Sequence, residues 1–132
     1  MGGLRFFRLA AAVGAALAAM PAAVSAQPAA QPQNQCFLTA NIAGFNAPDK
    51  RTVYVRVGVN QIYRLDLMTD CLSLPFRLSI GLQTTPGQPW VCSPLDATVL
   101  YNTGGIQQRC PVSAIHKLTP DEVASLPKKD RP

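Results

Sequence analysis

Four cysteines, Cys36, Cys71, Cys92 and Cys110, follow an N-terminal stretch built like an export signal, and together these features restrict the folds open to the chain. Arg5 and Arg8 precede an apolar run from Leu9 to Met20, Pro21 ends it, and Val24-Ser25-Ala26 places small residues where a signal peptidase cuts. Residues 1–26 read as a secretory signal peptide removed before Gln27. Such a signal implies a periplasmic or secreted protein, in an oxidising setting where the four thiols close two disulfides. No C-x-x-C occurs, so neither a redox motif nor a zinc knuckle is written here. Four cysteines allow three pairings. We expect Cys36–Cys71 and Cys92–Cys110, each clamping an adjacent group of strands.

Without the signal, the chain is long enough for one small domain. Its apolar run is short and rich in Ala and Gly, whereas a spanning helix needs about 20 strongly apolar residues. No membrane span is therefore expected after cleavage. Residues 27–35, all Pro, Gln, Ala and Asn, read as a flexible leader, residues 36–127 as a single β-rich domain, and 128–132 as a charged tail. Removing Arg5 and Arg8 with the signal lowers the formal charge from +5 to +3. The remaining cations are mostly scattered, without the concentrated basic face and stacking aromatics of a nucleic-acid binder. Nucleic acid is not an expected partner. A mild attraction to anionic envelope polymers or membrane surfaces is compatible with this charge, although a solvated charged surface explains it more simply.

Alternation locates the strands. In Thr52-Val53-Tyr54-Val55-Arg56-Val57 the three valines share one face, and in Gln61–Leu67 the matching face carries Tyr63, Leu65 and Leu67. A three-residue loop, Gly58-Val59-Asn60, sets Val55 opposite Tyr63 and Val53 opposite Leu65, with Asn60 in the left-handed position. A two-residue turn would place Val55 opposite Arg64 instead. Ile42–Phe45 reads as a short extended piece ending in a turn. Phe76–Leu82 reads as a strand with Phe76, Leu78, Ile80 and Leu82 inward; Trp90–Cys92, Ala97–Tyr101 and Ile106–Val112 read as further strands. Trp90 is expected to pack against a disulfide. Thr119-Pro120-Asp121-Glu122 is a capping box opening a helix of about two turns before Pro127. That helix should dock through Val123 and Leu126. The fold class is mainly β: a small antiparallel sandwich or partly open barrel with one short C-terminal helix.

The chemical inventory is thin. His116 is the sole histidine, and no H-x-x-x-H, G-x-S-x-G, phosphate loop or dinucleotide fingerprint is present. Asp66 shares a face with Arg64, which favours an exposed ion pair over a sugar or cation site with Asp70. Asp121 and Glu122 suit the start of a helix, where negative charge is favourable. The hairpin register puts Tyr54 opposite Arg64 and Arg56 opposite Ile62, so Tyr54, Arg56 and Arg64 form a candidate partner surface of hot-spot composition. No catalytic residue, metal ligand set or cofactor site is expected.

Cys36-Phe37, Thr52–Gly58, Val59–Leu67, Cys71, Trp90–Ala97, Arg109-Cys110-Pro111-Val112 and Leu118–Val123 together resemble a family of small exported bacterial proteins known only as a domain of unknown function. The resemblance covers Cys36 to about Leu126. It implies export and a bacterial envelope setting, and no activity. The expected function is a non-catalytic periplasmic binding or structural module acting on an unknown protein or envelope component. One alternative is an inhibitor of an envelope hydrolase, presenting residues 83–89 or 102–105. Another is a metal-handling protein using His116 with free cysteine thiols.

Overall fold

A computed structural model describes residues 35–132; the signal segment and residues 27–34 of the leader lie outside the described residues. The strands are β1 (Phe37–Leu38), β2 (Ile42–Asn46), β3 (Thr52–Val57), β4 (Gln61–Leu67), β5 (Gly81–Thr84), β6 (Trp90–Val91), β7 (Ala97–Thr103) and β8 (Ile106–Lys117), followed by helix α1 (Pro120–Ser125). Six of them form one antiparallel sheet in the order β2-β3-β4-β8-β7-β5, which curls into a half-barrel. β1 and β6 form a separate two-stranded sheet.

Hydrophobic alternation sets the register of β3 and β4, with Val55 opposite Tyr63 and Val53 opposite Leu65 across the three-residue loop. The left-handed residue of that loop is Gly58, at φ 63°, and not Asn60. Gly lacks the Cβ that makes this conformation costly, so it takes the position ahead of Asn. Val53, Val55, Tyr63, Leu65, Leu67, Val99 and Val112 line the inner face and are almost wholly buried. Phe37 and Val91 of the small sheet pack into the same core, and the Phe37 and Tyr63 rings lie 4.7 Å apart.

β8 joins the two halves of the large sheet. Ile106–Pro111 pair with β7, and Val112–Lys117 pair with β4. Pro111, which has no N–H to donate, stands where the strand changes partners. Ser113 is an extra residue between Val112, opposite Leu67, and Ala114, opposite Asp66, and its hydroxyl donates to the Asp66 carbonyl. This bulge inverts the inside–outside alternation. The strand therefore runs on to Lys117, well past Val112, where the simple pattern ends.

Three other expectations are corrected. The disulfides are Cys36–Cys92 and Cys71–Cys110. The first joins the ends of β1 and β6, because Phe37 pairs with Val91 next to them. The second ties the β4–β5 loop to β8 beside Pro111. Phe76–Leu82 is not one inward-facing strand: Leu74–Phe76 form a 3-10 turn, β5 begins only at Gly81, and Phe76 and Leu78 are 81% and 100% exposed. Cys71 and Leu74 hold the chain at the core while it crosses to the far edge of the sheet, and the β7 ladder pairs only Gly81–Thr84. Trp90 is exposed, paired across from Leu38, because Val91 takes the inward position of β6.

Each disulfide closes a long loop, with sequence separations of 56 and 39 residues. In the chain-entropy account, loops of this size restrict the unfolded chain by about 4 kcal/mol each. Peptide mapping without reduction should recover Cys36–Cys92 and Cys71–Cys110. Replacing Cys71 and Cys110 together by Ser should lower the urea-unfolding free energy by about 2–5 kcal/mol. An unchanged midpoint would mean that this bridge does not support the fold.

Candidate functional site

The outer face of the sheet carries a row across three strands: Tyr54 on β3 stands opposite Arg64 on β4, and Arg64 opposite His116 on β8. The chain leaving β8 turns at Leu118, whose N–H donates to the Ile62 carbonyl, and starts α1 beside this row. Leu118, Glu122 and Leu126 together with Tyr54, Arg64 and His116 enclose a groove of ≈ 360 Å³. The capping box forms as the residue types dictate: the Thr119 hydroxyl accepts from the Glu122 N–H at 3.3 Å, and Glu122 Oε2 accepts from the Thr119 N–H at 2.7 Å. Val123 and Leu126 are partly buried.

Glu122 also lies 3.1 Å from His116 Nε2 through both carboxylate oxygens. The Thr119 N–H, and after it the His116 ring, hold the Glu122 carboxyl below its ordinary range. Arg64 Nε donates to Asp66 at 2.8 Å, and this bond holds the guanidinium charged more firmly than usual. Ser125, a hydroxyl residue at the groove, donates to the Asp121 carbonyl at 2.9 Å. His116 thus has a carboxylate partner, while the hydroxyls of Thr119 and Ser125 bond the backbone of α1.

The candidate partner residues are only partly brought together. Tyr54 and Arg64 share the groove. Arg56 lies one row away, partly buried, opposite Gly44 and Ile62, and its Nε is enclosed without a hydrogen-bond partner. The segment after α1 returns over this side: the Asn46 amide donates to the Lys129 carbonyl, and Arg131 donates to the carbonyls of Ala124 and Leu126. A cation suits that end of a helix. Of the inhibitory-loop candidates, residues 102–105 close a tight turn through Gly104 and Gly105, and Gly87 turns the segment after β5. All four cysteine sulfurs are in disulfides, which leaves none of the thiols that metal handling through His116 requires.

A second feature is the loop from Met68 to Ile80. Its backbone is fixed at many points: the Cys71 disulfide, the fully buried Leu74, the Cys71 N–H on the Lys50 carbonyl, the Tyr101 hydroxyl on the Leu72 carbonyl, and Arg77 on the carbonyls of Ser73 and Asn102. Ser73 adopts a left-handed conformation, φ 69°, between these anchors. Yet Met68, Leu72, Phe76 and Leu78 project into solvent, and Phe76 borders a cleft of ≈ 690 Å³ with Pro48, Lys50, Arg51 and Pro75. Phe76 and Leu78 belong to the alternating pattern that reads as an inward strand, so the pattern marks an apolar face without telling whether the fold covers it.

A model of a family of unknown function matches residues 4–132. The chain belongs to that family, DUF6491. No curated protein and no solved structure matches the chain. Membership accords with the four-cysteine resemblance and assigns no residue a role. No helix among the described residues is long and apolar enough to cross a membrane.

The depressed Glu122 carboxyl makes a pH prediction. Its folded-state pKa lies below the unfolded value of 4.5, so its stabilising contribution is complete above that pH and is lost as pH falls through the folded value. Glu122→Gln should lower the urea midpoint at neutral pH, and the difference from the parent should shrink at acidic pH, as the carboxyl protonates. A difference of equal size at both pH values would show that the carboxylate charge does not tie α1 to the sheet.

Proposed function

We propose that this protein is a non-catalytic, disulfide-locked binding module of the cell envelope, with the Met68–Ile80 loop as its contact surface. One observation carries the reading. Of the eight large hydrophobic residues exposed among the described residues, four, Met68, Leu72, Phe76 and Leu78, stand on this one anchored loop. Single exposed hydrophobes are ordinary on protein surfaces, whereas a cluster of them marks an interaction site. A loop already held in place loses little conformational freedom when it binds, which favours contact with a partner.

The titratable groups support the non-catalytic part of the reading. His116 with Glu122 and Arg64 with Asp66 pair on the outer face, and Arg51 pairs with Asp70 at 3.6 Å beside the loop. His116 and Glu122 join α1 to the sheet, and Arg64 and Asp66 pair within β4. An export signal and two disulfides support an envelope location.

Site-directed photo-crosslinking in exporting cells tests the proposal. With p-benzoylphenylalanine in place of Phe76, irradiation should yield a covalent adduct. The same probe at Val59, which is 80% exposed on the β3–β4 loop, should yield none. His116→Ala should leave the adduct unchanged. Equal labelling at both positions would remove the loop from the role, and a hydrolytic activity abolished by His116→Ala would overturn the non-catalytic reading.

A further inference from the structure

The contact loop is bordered by cations. Lys50 and Arg51 line the cleft beside Phe76, Arg77 lies between Phe76 and Leu78, and Arg109 shares a second cavity with Leu72. Arg77 is held by backbone carbonyls, at 3.1 Å to Ser73 and 2.9 Å to Asn102, and Arg51 donates to the Met68 carbonyl at 2.9 Å. Bonds to neutral carbonyls fix where these guanidinium groups sit and leave their charge uncancelled. Two carboxylates are near: Asp49 accepts the Arg51 backbone N–H at 2.7 Å, and Asp70 faces the Arg51 side chain at 3.6 Å with both side chains more than half exposed. Such an exposed pair is weak in water. Four cations against two anions leave the rim of the loop positive.

Apolar side chains that project outward, with no cover and with cations around their base, match the layered chemistry of a bilayer surface. The apolar tips enter the boundary between headgroups and acyl chains, while Lys and Arg meet the phosphates. A protein interface would instead favour depletion of Lys from its centre and a complementary pocket around each anchor. We propose that the Met68–Ile80 loop docks the protein on an anionic lipid leaflet, seating Phe76 and Leu78 in the headgroup layer with Lys50 and Arg77 against lipid phosphates. This inference rests on the loop being the contact surface and names its partner. The attachment is peripheral: no helix among the described residues is long and apolar enough to cross the bilayer.

Co-sedimentation of the oxidised protein with vesicles decides the matter. The protein should pellet with vesicles of equal parts phosphatidylglycerol and phosphatidylcholine, and it should stay in solution with phosphatidylcholine alone. Phe76→Ser with Leu78→Ser should reduce partitioning at least about tenfold, the effect of removing two inserted apolar groups. Both positions are largely or fully exposed, so the fold is spared. Lys50→Gln should reduce partitioning about fivefold, and added salt should weaken binding of the parent. Failure of the parent to pellet with anionic vesicles would overturn the lipid partner, and a protein adduct at position 76 would then leave the contact surface standing. Undiminished pelleting of the double Ser variant would overturn the placement of the site. A stable dimer that this variant dissociates would assign the loop to a second copy of the chain and overturn the lipid proposal.

Discussion

The whole architecture depends on β8 being shared. One strand gives its first half to β7 and its second half to β4, so neither half of the large sheet is complete without it. Sharing a strand between two differently oriented ladders requires a bend, and the chain supplies Pro111 and the Ser113 bulge at that point. The bend curls the sheet around the valine and leucine core. Cys110 stands at the same place, and through Cys71 it holds the β4–β5 loop against the bend. The loop therefore owes its fixed shape to the constraint that shapes the sheet.

The two faces of the sheet divide the work. The inner face is apolar and closed by the small sheet, with Phe37 against Tyr63. The outer face carries Tyr54, Arg64 and His116 in line; Arg64 bonds Asp66, and the His116 ring meets Glu122. Exposed pairs of this kind contribute little stability singly. Their effect is geometric: Glu122 at once caps its own helix and meets a strand residue, fixing the angle at which α1 leaves β8. The groove beneath α1 is thus accounted for by folding requirements, whereas the apolar residues of the β4–β5 loop are not.

Local patterns were legible where one physical cause acted alone. Alternation with a three-residue loop was enough for the β3–β4 register, because a one-residue slip would set Val53 and Val55 against the polar face of β4. The Thr119–Glu122 box was legible because capping involves only neighbouring residues. The pairing of the cysteines was not, since Cys36 meets Cys92 only through the contact of β1 with β6, two short strands far apart in the chain. The alternation ends β8 too early because the extra residue at Ser113 inverts it. Phe76 and Leu78 carry an inward pattern yet face solvent, because periodicity reports that a face is apolar and is silent on what covers it. The hairpin register points to a partner surface at Tyr54, Arg56 and Arg64, but Tyr54 and Arg56 lie partly buried, with the chain's own C-terminal segment close to Arg56.

The position of β8 in the sheet also bears on the order of events as the chain emerges. The β2–β3–β4 meander is made early and is local, so it can pair as soon as it emerges. One edge of that meander stays bare, because its partner is the last strand to arrive. An unpaired edge strand carrying Ile62, Tyr63, Leu65 and Leu67 is an invitation to other chains. For this protein the interval between residues 67 and 112 is therefore the hazardous part of biogenesis, and its length is set by how fast the chain emerges, independently of how stable the finished sheet becomes.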